Sequence, residues 1–479
     1  MDIPQKFFRI DPIENVIYII REISIMERKL FGTNGVRGIA NEELTVELAL
    51  DLGKTIASLR EGLIAVGMDT RLSSPMFKSA IIAGILSAGG DVVDVGITPT
   101  PSLQYYVKES KANAGVIITA SHNPREYNGI KFVNNDGTEF TWEQDAEAER
   151  VLMSKLFKKA HWNGVGRVYE DDANRIYIEG VIRKVDVSAI ADKEFKVVLD
   201  CGNGAATFTS PFILKELNCK TFSINCYPDG RFPARQSEPV EENIWELKEV
   251  VKSVKANLGV AHDGDADRAT FVDEKGNFVS EDVILALIAK HYVEKNGGGI
   301  VVTPVSSSKC VEDVVVEAGG KVIYTAVGSP VVAKVMKETN AVFGGEGNGG
   351  LIFPEHLLAR DGGMSMAKIL ELMAIENKPL SELVKDIPKY HMFKTKVECR
   401  DKKKLLEGLR SEFENANFTD GARIDFEDGW LLIRPSGTEP IARIFAEAKN
   451  EKRAKELLEF GVEKVKKILS GYSEITKFS

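Results

Sequence analysis

One supersecondary phrase occurs three times in this 479-residue chain. It first runs LIAVGMDTR, PMFKSAIIAGILSAG, GDVVDVG, starting at Leu63. It returns as KVVLDCGNG, SPFILKELN, CKTFSIN from Lys196, and as GIVVTPVSS, KCVEDVVVEAG, GKVIYTAVG from Gly299. Each copy reads as a strand, a polar loop, an amphipathic helix closed by Gly or Asn, and a second strand. Strand–helix–strand units build a mostly parallel sheet with right-handed crossovers. Any α/β protein repeats such units, but copies more than a hundred residues apart point to three homologous α/β domains.

The texture changes near residue 390. FKTKVECR, GLRSEFENANF, ARIDFEDGWLLIRPSG and PIARIFAEAK precede a long helical run, EKRAKELLEFGVEKVKKILS. Alternating strands with a hairpin signal at DFEDGW predict an antiparallel sheet with helices on one face. The expected fold class is therefore α/β: three similar mixed α/β domains plus a C-terminal α+β domain. The expected units are 26–160, 161–275, 276–390 and 391–479. Residues 1–25 read as a poorly ordered extension, with Met26, directly before ERKLFGTNGVRG, as the expected natural start.

Charge and cysteine usage exclude several classes. With 62 basic against 71 acidic residues the net charge is −9, so nothing favours a nucleic-acid partner. No apolar run approaches the ~20 residues of a membrane span, and the first 25 residues lack a signal-peptide pattern. Five cysteines without a CxxC pair read as reduced thiols of a cytoplasmic protein.

Five short stretches carry chemistry. In AGVIITASHNPREYNGIKF, residues 114–132, a β-branched apolar run ends abruptly at a polar cluster. This presents Ser121 at a strand end, beside His122, with Lys131 ten residues on; the bland alternative is an Asn-Pro turn. HDGDADR, residues 262–268, spaces Asp263, Asp265 and Asp267 at two, so extended backbone would aim their carboxylates one way. Three such groups repel unless a cation lies between them, and compact oxygen ligands suit Mg²⁺. A calcium EF-hand fails because Arg268 stands where the loop requires Gly and strands flank it.

GGEGNGG, residues 344–350, matches GxGxxG literally, but a dinucleotide fingerprint must open a helix and here LIFP follows. Glu346 and Asn348 in a glycine-rich loop fit hydrogen bonds to sugar hydroxyls better. RPSGTEP, residues 434–440, joins a guanidinium, two hydroxyls and free backbone N–H groups at Arg434, Ser436, Gly437 and Thr438, a phosphate cradle that is not a P-loop. FGTNGVRG, residues 31–38, places Arg37 in a Gly-punctuated loop before the first helical run.

A serine nucleophile, a cation site, a polyol loop and a phosphate cradle on four domains suggest phosphoryl transfer on a phosphosugar, in a central cleft. TASHNP with NGIK, DGDADR, GEGNGG and RPSGTEP resemble, in that order and over about residues 26–475, the α-D-phosphohexomutase superfamily. FGTNGVRG and GEGNGGLIFPEH look closest to its archaeal branch, which includes phosphoglucosamine mutases and phosphomannomutase/phosphoglucomutases.

The resemblance implies that Ser121 is phosphorylated in the resting enzyme and donates to a hexose monophosphate. A bound 1,6-bisphosphate would turn around and return its other phosphate to Ser121. It implies a Mg²⁺ held by Ser121, Asp263, Asp265 and Asp267, and a non-transferred phosphate held by Arg434, Ser436, Gly437 and Thr438. Glu346 and Asn348 would read hydroxyls. Lys131 and Arg37 would serve proton transfer or charge stabilisation, with Lys131 as general acid/base. Arg268 and His122 would position phosphate and loop; for His122 a purely structural hydrogen bond is the alternative. Three departures from relatives stand out: Met68 for an arginine in GMDTR, Ser329 for a histidine or aspartate, and Asn348 for a serine.

The expected reaction is interconversion of glucosamine 6-phosphate and glucosamine 1-phosphate. Mannose and glucose phosphates are the alternative, with a phosphosugar phosphatase and a non-catalytic sugar-phosphate binder as other classes. Monomer and homo-oligomer both fit.

Overall fold

The structure, a computed structural model, describes residues 30–32, 34–436 and 439–470. The extension expected at 1–25 and the start expected at Met26 lie outside the described residues. Three sheets share one plan. In the first, Leu63–Met68 is flanked by parallel Asp91–Ile97 and Ala114–Ile118, and Ala114–Ile118 pairs antiparallel with Tyr127–Asn134. In the second, Lys196–Asp200 lies between parallel Lys220–Ile224 and Leu258–His262, and the latter pairs antiparallel with Ala269–Val272. In the third, Gly299–Pro304 lies between parallel Gly320–Thr325 and Phe343–Glu346, and the latter pairs antiparallel with Gly350–Phe353.

The inner parallel strands Leu63–Met68, Ala114–Ile118 and Leu258–His262 are buried through most of their length and read as near-continuous apolar runs because helices cover both faces. The edge strands Lys220–Ile224 and Gly320–Thr325 are instead mostly half-buried or exposed. The antiparallel partners make the sheets mixed, as the fold class anticipates, rather than mostly parallel. The equivalence has a consequence that the repeated phrase alone does not reveal. In all three sheets the turn from the third parallel strand into its antiparallel partner carries a site motif: TASHNP, DGDADR and GEGNGG.

The fourth sheet is antiparallel, ordered His391–Glu398, Ile441–Ala448, Gly429–Pro435, Ala422–Phe426. Helix Glu451–Ser470 buries Ala454, Leu457, Gly461 and Val465 against it, the three-and-four spacing of one helical face. A Cβ at Gly461 would come within 2.7 Å of Leu431 and 2.9 Å of Ile444, so Gly461 sets how closely the helix lies on the sheet.

The second and third units share one apolar core, which also takes Tyr105 from the first. The fourth keeps its own core, from Cys399 to Val465, and meets the third through a small cluster of Val305, Trp430 and Leu432.

Candidate active site

Ser121 is fully buried and adopts a left-handed backbone, φ +51°. Such a conformation costs a non-glycine residue on the order of 1–3 kcal/mol and persists only where neighbours over-determine it. Here they do. Thr119 Oγ1 accepts the Ser121 N–H at 2.9 Å, and Thr119 in turn donates to Asp69 at 2.7 Å. Arg71, buried and paired with Asp69 at 3.1 Å, donates to four carbonyls of the loop: Ser121 and Asn123 through Nη2, Pro124 and Tyr127 through Nη1. The turn is therefore held in shape by one guanidinium.

The three aspartates converge differently from the expectation. Residues 263–268 form a turn, with Ala266 left-handed at φ +57°, rather than extended backbone. Alternation along a strand therefore does not aim them; the turn does. Gly264 matters for approach, since a Cβ there would lie 2.6 Å from the Ser121 carbonyl. The serine turn and the aspartate turn are thus packed backbone to backbone.

Ser121 Oγ donates to Asp263 Oδ2 at 2.8 Å, and His122 Nδ1 lies 3.3 Å from the same hydroxyl. Thr100 clamps Asp265 twice, its hydroxyl on Oδ2 at 2.5 Å and its N–H on the carbonyl at 2.9 Å. Lys131 Nζ, also buried, stands 3.2 Å from Asp265 and 3.9 Å from Asp267. Arg360 reaches Asp267 at 2.5 Å and Glu346 at 3.0 Å, and Arg268 lies 3.7 Å from Asp267.

One carboxylate oxygen from each aspartate fits within a 4.8 Å group. Oδ1 of Asp265 and Oδ1 of Asp267 are buried without a hydrogen-bond partner, which ordinarily costs about 1–3 kcal/mol or more for a charged group. Burial, reinforced by Asp267 and Asp265, pushes the Asp263 carboxyl well above its usual range. Asp265 is held below its ordinary range: burial opposes this, but Lys131, Thr100, Arg37 and Arg360 outweigh it. Three buried carboxylates with unmet oxygens fit a divalent cation.

His122 is pushed down to about 2, by burial and then by Arg268, Arg37 and Arg360. It is a neutral hydrogen-bonding imidazole at neutral pH and a poor proton acceptor. Arg37 lies in strand Val36–Ile39, not in the loop expected, because the glycine-punctuated run pairs antiparallel with Tyr127–Asn134. Its guanidinium bonds Asn123 at 2.6 Å and the Ala120 carbonyl at 3.3 Å, beside the serine turn.

Glu346 ends a strand, buried, accepting from Arg360 and from the Gly328 N–H at 3.1 Å. Asn348 is partly buried, and its carbonyl oxygen accepts from Gly350 N–H at 3.1 Å. In the fourth unit Arg434 Nε donates to Asp420 at 2.6 Å. Ser436 is buried and its hydroxyl accepts from Glu439 N–H at 3.2 Å. Gly437 and Thr438 lie outside the described residues.

These parts are linked by hydrogen bonds. Arg434 and the Val327 N–H share Asp420; the next residue, Gly328, donates to Glu346; Glu346 meets Arg360; and Arg360 meets Asp267. Arg71, Thr100, Arg360 and Asp420 complete the site without having been singled out as site residues. For Arg71 and Arg360 the readable signal is a charge at or just past the end of a buried apolar strand, as in LIAVGMDTR and LLAR, because a buried charge must be paired; Thr100 and Asp420 carry no such signal.

The chain belongs to the phosphoglucomutase/phosphomannomutase family. Residues 28–159, 175–276 and 280–390 match its alpha/beta/alpha domains I, II and III, and residues 395–464 match its C-terminal domain. A phosphoglucomutase/phosphomannomutase of Thermococcus kodakarensis is 47% identical over 454 residues, covering 92% of this chain and all of that protein. A probable phosphoglucosamine mutase of Methanopyrus kandleri is 42% identical, covering 93% of this chain and all of its own length. The crystal structure of a phosphoglucomutase/phosphomannomutase family protein from Burkholderia thailandensis superposes with a TM-score of 0.84 at 26% identity, covering 93% of this chain and 98% of that one. The chain is a phosphohexomutase.

Proposed function

We propose that the protein interconverts glucosamine 6-phosphate and glucosamine 1-phosphate by passing a phosphoryl group through Ser121. The observation that carries the reading is a serine on left-handed backbone whose hydroxyl lies 2.8 Å from a three-aspartate cluster with two unmet oxygens. The units 26–160, 161–275, 276–390 and 391–479 would contribute phosphoserine, cation site, sugar loop and phosphate cradle respectively.

Phosphorylated Ser121 would donate to the free hydroxyl of the bound monophosphate, giving a 1,6-bisphosphate that turns around and returns its other phosphate. Asp263, Asp265, Asp267 and a phosphoserine oxygen would hold Mg²⁺, favoured by an all-oxygen donor set. When bound, it neutralises charge on the transferring phosphoryl group. Lys131, as the neutral amine, would take the hydroxyl proton in one transfer and, as the resulting ammonium, return it in the other. Arg37 and Arg268 would offset the roughly −1.5 to −2 charge of the phosphoserine, and His122 would orient the hydroxyl through its hydrogen bond.

Arg434, with Ser436, Gly437 and Thr438, would grip the phosphate that is not transferred, which requires the Arg434 fork to serve both Asp420 and the ligand. Glu346 and Asn348 would meet hydroxyls presented in either orientation. A cytoplasmic location accords with five free thiols and with no described helix long and apolar enough to cross a membrane.

The substrate choice rests on the probable phosphoglucosamine mutases among the relatives and on Asn348, whose amide offers both donor and acceptor to a hydroxyl or amine. The mannose and glucose phosphates are the second reading, favoured by the 47%-identical relative. Measuring kcat/KM for the 1-phosphates of glucosamine, glucose and mannose under one set of conditions decides between them. Preference for glucosamine 1-phosphate is expected; preference for either other sugar selects the second reading, and release of free phosphate alone selects a phosphatase.

A further inference from the structure

Two cysteines away from the reacting groups face each other. Cys201 follows directly on Lys196–Asp200, and Cys226 comes two residues after the parallel neighbour Lys220–Ile224. Asp200 is in register with Ile224, and backbone pairing continues past the strand ends, Asn203 N–H donating to Asn225 O at 2.8 Å. Their sulfurs stand 2.7 Å apart, both as free thiols. Sulfurs this close need only a small movement to reach the roughly 2.05 Å of a disulfide bond.

We propose that Cys201 and Cys226 are a modification site, closing to an intramolecular disulfide when the folded protein meets a low-molecular-weight disulfide. Spacing in the sequence conceals the pair, because 25 residues separate two cysteines that adjacent strands bring together.

The two thiols are unequal, which sets the order of events. Cys226 is partly exposed, and its thiol is held below the usual range by Cys201 beside it; Cys201 is fully buried and burial pushes it well up. The Cys226 thiolate attacks one sulfur of the small disulfide, breaking that S–S bond and releasing one small thiolate with the bonding electron pair. That thiolate takes the Cys201 proton, and Cys201 sulfur attacks Cys226 Sγ, expelling the second small thiolate, which is protonated by water. Two protein thiols are oxidised and one small disulfide is reduced to two thiols.

The cross-link would brace the floor of the aspartate turn. Ala205 N–H donates to the Gly264 carbonyl at 3.0 Å. Arg235 joins Asp200, at 2.7 Å, to the His262 carbonyl, at 2.6 Å. Constraining the segment between the two cysteines stabilises the second unit chiefly by limiting its unfolded states.

The test treats the full-length folded protein with oxidised glutathione, then unfolds it in N-ethylmaleimide for intact-mass and peptide analysis. Three of the five thiols should remain alkylatable, the mass should lack two hydrogens, and the linked peptides should contain Cys201 and Cys226. The thermal midpoint should rise by several degrees and revert with dithiothreitol. Cys226→Ser should alkylate at all four remaining thiols, whereas Cys219→Ser should still form the link. Five alkylated thiols, a lasting glutathione adduct on Cys226, or a different linked pair would overturn the proposal. The peptide map of the parent protein decides it even if a variant fails to fold.

Discussion

The serine turn and the arginine loop of the fourth unit are built on opposite plans. Around Ser121 the backbone is tied at several points: Arg71 bonds four carbonyls, Thr119 fixes the Ser121 N–H, and Gly264 packs against the Ser121 carbonyl. Among the described residues Arg434 has one carboxylate partner, Asp420, and it keeps 14% of its side chain exposed. The proposed reacting atoms therefore sit in a preorganised pocket, where position matters most to the barrier. Arg434, the proposed gripping residue, sits in a unit with its own core, joined to the others by a small apolar cluster. Transition-state effects should concentrate in the first region and binding effects in the second.

The largest effect should come from Ser121→Ala, with turnover falling on the order of 10³-fold or more because the nucleophile is gone. Wild-type turnover in this variant would place the chemistry elsewhere. Next, Arg360→Met removes the cation that neutralises Asp267 and holds Glu346. Divalent-cation binding by calorimetry should tighten by about three- to tenfold, up to roughly 1.4 kcal/mol, while KM for the sugar phosphate rises. Weaker metal binding would show that Arg360 orders the aspartates more than it competes with the ion.

Arg434→Lys tests the other side of the comparison. A point charge replaces a planar fork, so KM should rise about tenfold with kcat within a few-fold, a loss of uniform binding. A collapse of kcat with unchanged KM would mean that the fourth unit takes part in the chemical step. Asp420→Asn should change KM less, since it only relaxes the grip on Arg434.

The smallest effect concerns stability. Asp282 lies against the sugar loop, where a Cβ at Gly347 would come 2.2 Å from its carboxylate, and burial pushes it up to about 6. Its unfolded counterpart titrates near 3.9. The folded state thus holds the extra proton between those values, and its stabilising contribution is lost as pH rises through about 6. The thermal midpoint should fall from pH 4.5 to 6.5 by more in the parent than in Asp282→Asn. Equal slopes would show that Asp282 does not titrate there.

Much of the site was legible because each motif gathers special residue types in one short run. HDGDADR announces converging carboxylates, and the abrupt end of GVIIT announces a presented serine. Three units were legible from the repeated phrase, and the fourth from the change to antiparallel patterning near residue 390. What the motifs could not show are partners supplied from afar: Thr100 meets Asp265 across 165 positions, and Arg360 meets Asp267 across 93. The flanking strands and Gly264 marked 263–268 as a tight loop, but alternation at two was the wrong reason for its carboxylates to converge, because the turn itself, with Ala266 left-handed, aims them. Arg37 departs from the expected loop for a related reason. Glycines at 32, 35 and 38 suggest a loop, but Val36–Ile39 is an edge strand whose partner lies ninety residues on.

The central claim is that Ser121 carries the phosphoryl group between substrate and product. The most direct measurement incubates dephosphorylated protein with Mg²⁺ and hexose 1,6-bisphosphate bearing labelled phosphate, and then maps the label by peptide mass spectrometry. One labelled phosphate on the peptide containing Ser121, chased into hexose monophosphate on adding unlabelled substrate and absent from Ser121→Ala, is the predicted result. Label on another residue, or turnover with no label on the protein at all, would contradict it.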